Sequence, residues 1–421
     1  MGSGTIEWLA SSVTQTAKDP RQPLIDAFER AYPFIKVDLV TGPSNTDTER
    51  TTLVSELSAG SATPDVYLGD VIWPYEFGRR GIALPLRHYL PQSFWTRFGS
   101  ADPQQSDNSL VQAATYRGDI YAVPLFVDEG FLFYRKDLLE RAGLAPPRTW
   151  EQLEADAQSL KRANKPYQFV WQGNDYEGLT CDWTELLADA SGGLPVGANP
   201  AAELDSPQAL RALDFLRGLL IQGISPPSTT TFEEPDANNA FDTGHAAFLR
   251  GWDSSYTTAL SSGSSIADPA KIGVVPLPTF AGQQAPGWSV IGGWDLYINP
   301  HTKNLRADLT FVTWMVGTQA QRILASQYSE IPSNASVRED PAVKAVNPVL
   351  RAAADTRLVS RPSATTDYQT ITTAIHGHIH AALLGPSSGG NDPCQALTQA
   401  AYAIDPHVHG SLSCPGAADG G

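Results

Sequence analysis

The first seventy residues alternate strand and helix, and this limits the fold more than any other feature of the chain. Thr5–Ala10 is strand-like, and Pro23–Ala31 carries Leu24, Ile25 and Phe28 at helical spacing before Tyr32-Pro33 ends it. Ile35–Val40 alternates as a strand, and Thr51–Ala59 sets Leu53, Val54 and Leu57 on a second helix. Pro64–Asp70 then gives a short buried strand ending in an acid. Such alternation predicts an α/β sheet whose ligand crevice lies at the carboxyl ends of its strands. Asp70 takes that kind of position, with Trp73, Pro74 and Tyr75 just after it. At 421 residues the chain exceeds one core, so two lobes are expected.

The stretch Tyr121–Gly143 reads as an extended apolar run containing Pro124, then Asp128, then the aromatic run Phe131–Tyr134. Arg135–Gly143 follows as a short helix with a glycine cap. An acid at a bend between two strands, ringed by Phe126, Phe131 and Tyr134, suggests a crossing between lobes with a polar group facing a cleft. Pro276 in KIGVVPLP and Gly317 after the helix Leu305–Met315 suggest two further crossings, and such a chain closes on a ligand by hinge bending. The boundaries expected are residues 1–123 and 278–317 for one lobe, and 124–277 and 318–421 for the other.

Further along, Thr149 and Gln152 form a capping box, 168–175 reads as a strand beside Trp171, and Ser206-Pro207 opens a helix. Phe241–Trp252 reads as helix, turn and strand, and Glu233-Glu234 caps or precedes a helix. Tyr368–Leu384 is helical, and 385–421 reads as a Gly/Ser/Pro-rich tail.

The net charge of -16 repels phosphate backbones and anionic membranes, which argues against nucleic-acid binding. No apolar run approaches a membrane span. Met1-Gly2-Ser3-Gly4 carries no legible export signal. Of three cysteines, Cys394 and Cys414 flank the tail and could pair, which would imply an oxidising compartment, whereas Cys181 reads as a buried thiol. Ten Trp residues either pack cores or stack on the C–H faces of sugar rings. Trp8 and Trp314 read as core. Trp252, and Trp294 beside the glycine pair of GWSVIGGW, are the stacking candidates, with Trp73 and Tyr176 as weaker ones. His376, His378 and His380 read as a solvated helix face, with no third metal ligand evident. No metal or cofactor is expected.

These stretches together resemble the extracellular solute-binding proteins of ABC sugar importers, nearest to the trehalose/maltose-binding branch. The carriers are PDVYLGDVIW (64–73), YAVPLFVDEGFLFYRKDLLERAG (121–143), FVWQGNDYEGLTCDW (169–183), ISPPSTTTFEEP (224–235), AAFLRGW (246–252) and IGGWDLYI (291–298). The resemblance runs from Ile6 to about Leu384. It implies two discontinuous lobes joined by a three-crossing hinge, no catalysis, and disaccharide capture in the cleft. It also implies membrane permease partners, a monomer, and an extracellular or periplasmic location with a lipid tether. By position it implies a binding set of Asp70, Phe126, Asp128, Trp252, Gly293, Trp294 and Arg361, with Arg50 of TDTER. Two departures stand out. The family's acid in the loop after strand one has no match in Ser11–Asp19, where Asp19 is only nearby, and Phe126 replaces a tyrosine.

Carboxylates suit this work because they accept hydrogen bonds from neighbouring hydroxyls, and arginines can donate forked bonds to sugar oxygens. Two rivals remain open: a glycosidase using Asp70 and Asp128, which needs two carboxyls about 5–9.5 Å apart across one bond, and a binder of another glycoside, a longer oligosaccharide or a non-sugar.

Overall fold

The computed structural model describes residues 3–11, 19–99, 109–161, 168–193, 199–385, 391–409 and 411–414. Strands among them are β1 (Gly4–Ala10), β2 (Ile35–Thr41), β3 (Val66–Asp70), β4 (Thr115–Tyr116), β5 (Asp119–Ile120) and β6 (Val123–Arg135). They continue with β7 (Phe169–Val170), β8 (Phe248–Trp252), β9 (Ile272–Pro276), β10 (Trp288–Ile298), β11 (Ile331–Pro332) and β12 (Arg357–Val359). The chain forms two units. Unit 1 is Met1–Glu129, Gly292–Ala354 and Ser363–Thr366, and unit 2 is Gly130–Ile291, Asp355–Pro362 and Asp367–Gly421.

Unit 1 is the α/β unit that the opening alternation predicts. β1 pairs in parallel with β2 and β3, and β10 joins β3 antiparallel with Trp294 opposite Asp70. Beyond β10 lies β6, and β11 pairs antiparallel to β6 with Ile331 opposite Val127. Helix Arg21–Ala31 buries Leu24, Ile25, Ala27 and Phe28 because they recur at helical spacing. Phe28 meets Phe311 at 5.0 Å and Trp314 at 5.6 Å between ring centroids, and Trp8 meets Phe311 at 5.2 Å. These edge-to-face contacts are worth about 0.5–1.5 kcal/mol each beyond burial. Helix Thr46–Ser58 starts ahead of the expected Thr51, because Asn45 caps it by accepting from the Thr48 amide.

In unit 2, β6 runs antiparallel to both β8 and β9, and β7 lies parallel to β8. Helix Glu177–Ala190 is buried along its whole length. It packs with the helices Pro207–Ile221 and Tyr368–Leu383 in one apolar core that includes Trp150, Trp171, Trp183 and Phe248. The capping box at Trp150–Lys161 forms: the Gln152 amide donates to Thr149 Oγ1 at 3.1 Å, and the Thr149 amide donates to Gln152 Oε1 at 3.3 Å. Glu233 caps helix Glu234–Asp242 in a second capping box with Asp236.

Three readings change. The expected bend at Asp128 lies inside one continuous strand, β6. The units divide at Glu129–Gly130, Ile291–Gly292 and Ala354–Asp355, in each case further along the chain than Pro124, Pro276 and Gly317. Pro276 ends β9, and Gly317 is the N-cap of helix Thr318–Tyr328. The divisions at residues 129 and 291 fall within the strands β6 and β10, each just before a glycine and neither at a proline. The tail holds a helix, Pro393–Ile404, whose Ala396, Leu397, Ala400 and Ala401 are buried in the unit 2 core, and Cys394 is joined to Cys414. Cys181 is a buried thiol outside the disulfide.

Candidate functional site

In unit 1 the candidates gather on β3, β10 and β6. Asp70 closes β3, is 7% exposed, and accepts from the Ile72 amide at 3.2 Å. Its Cα partner across the ladder is Trp294, which is half-buried. The Tyr297 hydroxyl donates to the Asp70 carbonyl at 2.9 Å, which holds the strand end in place. Gly293 has φ 133°, and a Cβ there would lie 2.5 Å from the Phe126 carbonyl oxygen. Only glycine lets β10 pass this close to β6. Phe126 is buried opposite Pro332, and Asp128, two residues on, is half-buried.

Trp73 and Arg50 are both engaged by neighbours within unit 1. Trp73 is 2% exposed, stacks on Phe77 at 5.1 Å and meets Trp294 edge-on at 6.5 Å. It supports Trp294 from the core. Arg50 forks onto Glu76 at 2.7 and 2.5 Å, and Arg80 adds a third bond at 2.7 Å. Burial opposes the Glu76 charge, but the two arginines outweigh it and hold this carboxyl below its usual range. Asp19 is likewise committed, forking onto Arg21 Nε at 2.9 Å. The rest of the loop after β1 that was compared with the family's acid lies outside the described residues.

Unit 1 also brings forward three acids that the sequence reading passed over. Glu49, in the first turn of helix Thr46–Ser58, is 1% exposed, and burial, aided by the Asp70 charge, pushes it up to about 8. Asp295, 2% exposed, is pushed well above its usual range by burial and then by Asp70. Glu330 is raised in the same way by burial and then by Asp128. One signal was present: Asp295 is an acid inside the apolar strand run IGGWDLYI. Glu49 was masked by its neighbour Arg50, and Glu330 lies outside the motifs.

In unit 2, Trp252 ends β8 and is half-buried, with the Arg250 guanidinium 4.0 Å from its ring centroid. Arg250 is held by Glu185 at 2.9 and 2.5 Å, by Asp182 at 3.0 Å and by Gln172 Oε1 at 2.9 Å. Trp252 therefore rests one face on a fixed cation. Tyr176 is 3% exposed. Arg361, 5% exposed, donates to Glu177 at 2.7 Å, and Tyr368 and Thr372 donate to the same carboxylate at 2.5 and 2.6 Å. That node ties segment 355–362 to two helices. His376 is also buried, not solvated: its Nδ1 lies 2.6 Å from Asp175, while His380 Nε2 lies 2.9 Å from the Thr230 carbonyl oxygen.

The chain is similar to known proteins. The family model described as "Bacterial extracellular solute-binding protein" matches residues 11–322. A probable ABC transporter-binding protein of Deinococcus radiodurans is 32% identical over 364 residues, covering 84% of this chain and 83% of that protein. The structure of maltose-bound MalE3 of T. maritima superposes with a TM-score of 0.85 at 29% identity, covering 95% of this chain and 98% of the other. A maltooligosaccharide ABC transporter solute-binding lipoprotein of Streptococcus pneumoniae is 26% identical over 253 residues, 56% of this chain and 54% of that protein.

Proposed function

The chain belongs to the bacterial extracellular solute-binding proteins, the solute-capturing components of ABC sugar importers, and we propose that its own solute is an α-linked glucose disaccharide of the maltose or trehalose type. The observation that carries this is the Asp70–Trp294 cross-strand pair, with Asp128 on β6 in the same unit. A carboxylate accepts charge-assisted bonds from hydroxyls, and an indole face covers the apolar side of a pyranose, so such a pair suits a neutral sugar. Trp252 of unit 2, half-buried against Arg250, is an indole face of the same kind. The likeness to maltose-bound MalE3 supports the choice of sugar.

Relatives of this family are non-enzymatic and work with membrane permease subunits. No described helix is long and apolar enough to cross a membrane. We take the protein to be a lipid-tethered monomer that captures sugar by hinge bending at the chain crossings. The sugar shifts that equilibrium only by its differential affinity for the closed state. Because Arg50 and Arg361 are engaged by Glu76 and Glu177, they serve the site by holding its supporting elements.

A thermal-shift panel of maltose, trehalose, sucrose, maltotriose and mannitol tests the proposal. Maltose or trehalose raises the melting temperature if it holds. A rise with maltotriose alone moves the solute to longer oligosaccharides, as the pneumococcal relative's name would suggest. Release of free glucose from either disaccharide would sink the non-enzymatic reading and return Asp70 and Asp128 to an acid–base pair.

A further inference from the structure

Helix Thr318–Tyr328 ends at Ser329, whose φ of 66° is a left-handed conformation that a non-glycine residue adopts only at a cost. The turn delivers the chain directly into β11, where Ile331 pairs with Val127 and Pro332 with Phe126. One residue back in the same antiparallel register, Glu330 stands opposite Asp128. A carboxyl oxygen of each lies within 4.8 Å of the other. Glu330 is 1% exposed, and apart from neighbouring carboxylates neither of its oxygens finds a hydrogen-bonding partner among the described residues. The next cation downstream, Arg338, is engaged by the carbonyls of Pro332 and Ser333.

Two carboxyls that face each other at this depth do not both readily carry charge. The more deeply buried one keeps the proton, and the push on Glu330 well above its usual range, from burial and then from Asp128, agrees. A protonated carboxyl has one donor, and the nearest acceptor of unit 1 that the strand register offers is Asp128.

We infer that Glu330 is a positioning residue for Asp128: as a neutral acid it donates its O–H to an Asp128 oxygen and fixes the orientation of the carboxylate that meets the solute. The inference rests on the proposed role of Asp128 in sugar binding. Its physical value is preorganisation. An unsupported aspartate on a strand samples several rotamers, and fixing it before the solute arrives removes that cost from binding. The Ser329 turn and the β11 register keep the donor rigid.

The test compares wild type with Glu330→Gln and Glu330→Ala. In solute-free protein at neutral pH, the wild-type minus Glu330→Gln infrared difference should show the carbonyl stretch of a protonated acid. Glu330→Gln keeps a donor, so its affinity for maltose or trehalose by calorimetry should stay within about threefold of wild type, whereas Glu330→Ala should lose roughly tenfold or more. Circular dichroism establishes that both variants fold. The inference is overturned by a missing acid band, by Glu330→Gln binding as weakly as Glu330→Ala, or by Glu330→Ala binding like wild type. If wild type binds neither sugar, the disaccharide proposal fails separately and the infrared arm decides. An acid band together with an Asp128 carboxylate stretch that moves in Glu330→Ala upholds the positioning, and the absence of either sinks it.

Discussion

Two sets of buried carboxylates, one in each unit, are accommodated differently. In unit 2, Asp182 and Glu185 share Arg250, Glu177 takes Arg361 with two hydroxyls, and Asp189 accepts from the Trp150 indole and the Trp288 amide at 2.8 Å each. In unit 1, among the described residues, no ion pair reaches Glu49, Asp295 or Glu330, and burial raises all three. Arg250 and Arg361 pair these acids of unit 2, as Arg50 and Arg80 pair Glu76 of unit 1, whereas Glu49, Asp295 and Glu330 are left to protons. Arginine keeps its charge at any accessible pH, so unit 2 builds a fixed scaffold under Trp252. Protons come and go, so the acids behind Asp70 and Asp128 make that part of unit 1 responsive to pH, as burial makes Asp242, pushed up to about 7, in unit 2.

Removing the cation from unit 2 should have the largest effect. Arg250→Ala strands two buried acids and should cost about 3–5 kcal/mol, read as a fall in melting temperature by circular dichroism. An unchanged melting temperature would show that Asp182 and Glu185 are not held by charge, and the contrast between the two sets would collapse.

Glu49→Gln tests the proton side. The folded-state value of about 8 lies above the ordinary 4.5, so folded protein keeps a proton that unfolded protein releases. That stability is fully present below about 4.5 and is lost as pH rises through 8. The glutamine variant should therefore match wild type near pH 4.5 and exceed it by roughly 2–4 kcal/mol above pH 8. Parallel stability–pH curves for the two proteins would refute a neutral Glu49.

Asp128→Ala should weaken sugar binding by about 1.5–3 kcal/mol while leaving the fold intact, since it removes a charged acceptor. Unchanged affinity by calorimetry would take Asp128 out of the site. Trp252→Ala should cost less, about 0.5–1.5 kcal/mol of binding, because it removes stacking and no charge. If its loss exceeded that of Asp128→Ala, unit 2 and not unit 1 would carry the recognition.

Periodic elements were readable. The strands and helices of the first seventy residues, the capping box at Thr149 and the helix after Ser206 follow from spacing and capping chemistry, which are local. The continuity of β6 was hidden because Asp128-Glu129-Gly130 looks like a turn, and only β8, β9 and β11 on its edges keep it extended. The tail helix was masked by glycine and serine, although Asp392-Pro393 is a sound start signal: Asp392 caps the Cys394 and Gln395 amides. Asp70, Asp128, Trp252 and Trp294 could be named as candidates from the sequence. The engagement of Arg50 by Glu76, 26 residues away, and of Arg361 by Glu177, 184 residues away, could not.

By itself the sequence determined the α/β character, the two-unit expectation and the family, because periodicity, caps and collinear motifs are written along the chain. Tertiary structure decided which acids are charged. Protonation depends on the water and the cations around a carboxyl, and these are set by residues distant in sequence. Asp70 and Asp295, Asp128 and Glu330, and Asp182 and Arg250 are neighbours only once the strands and helices have packed.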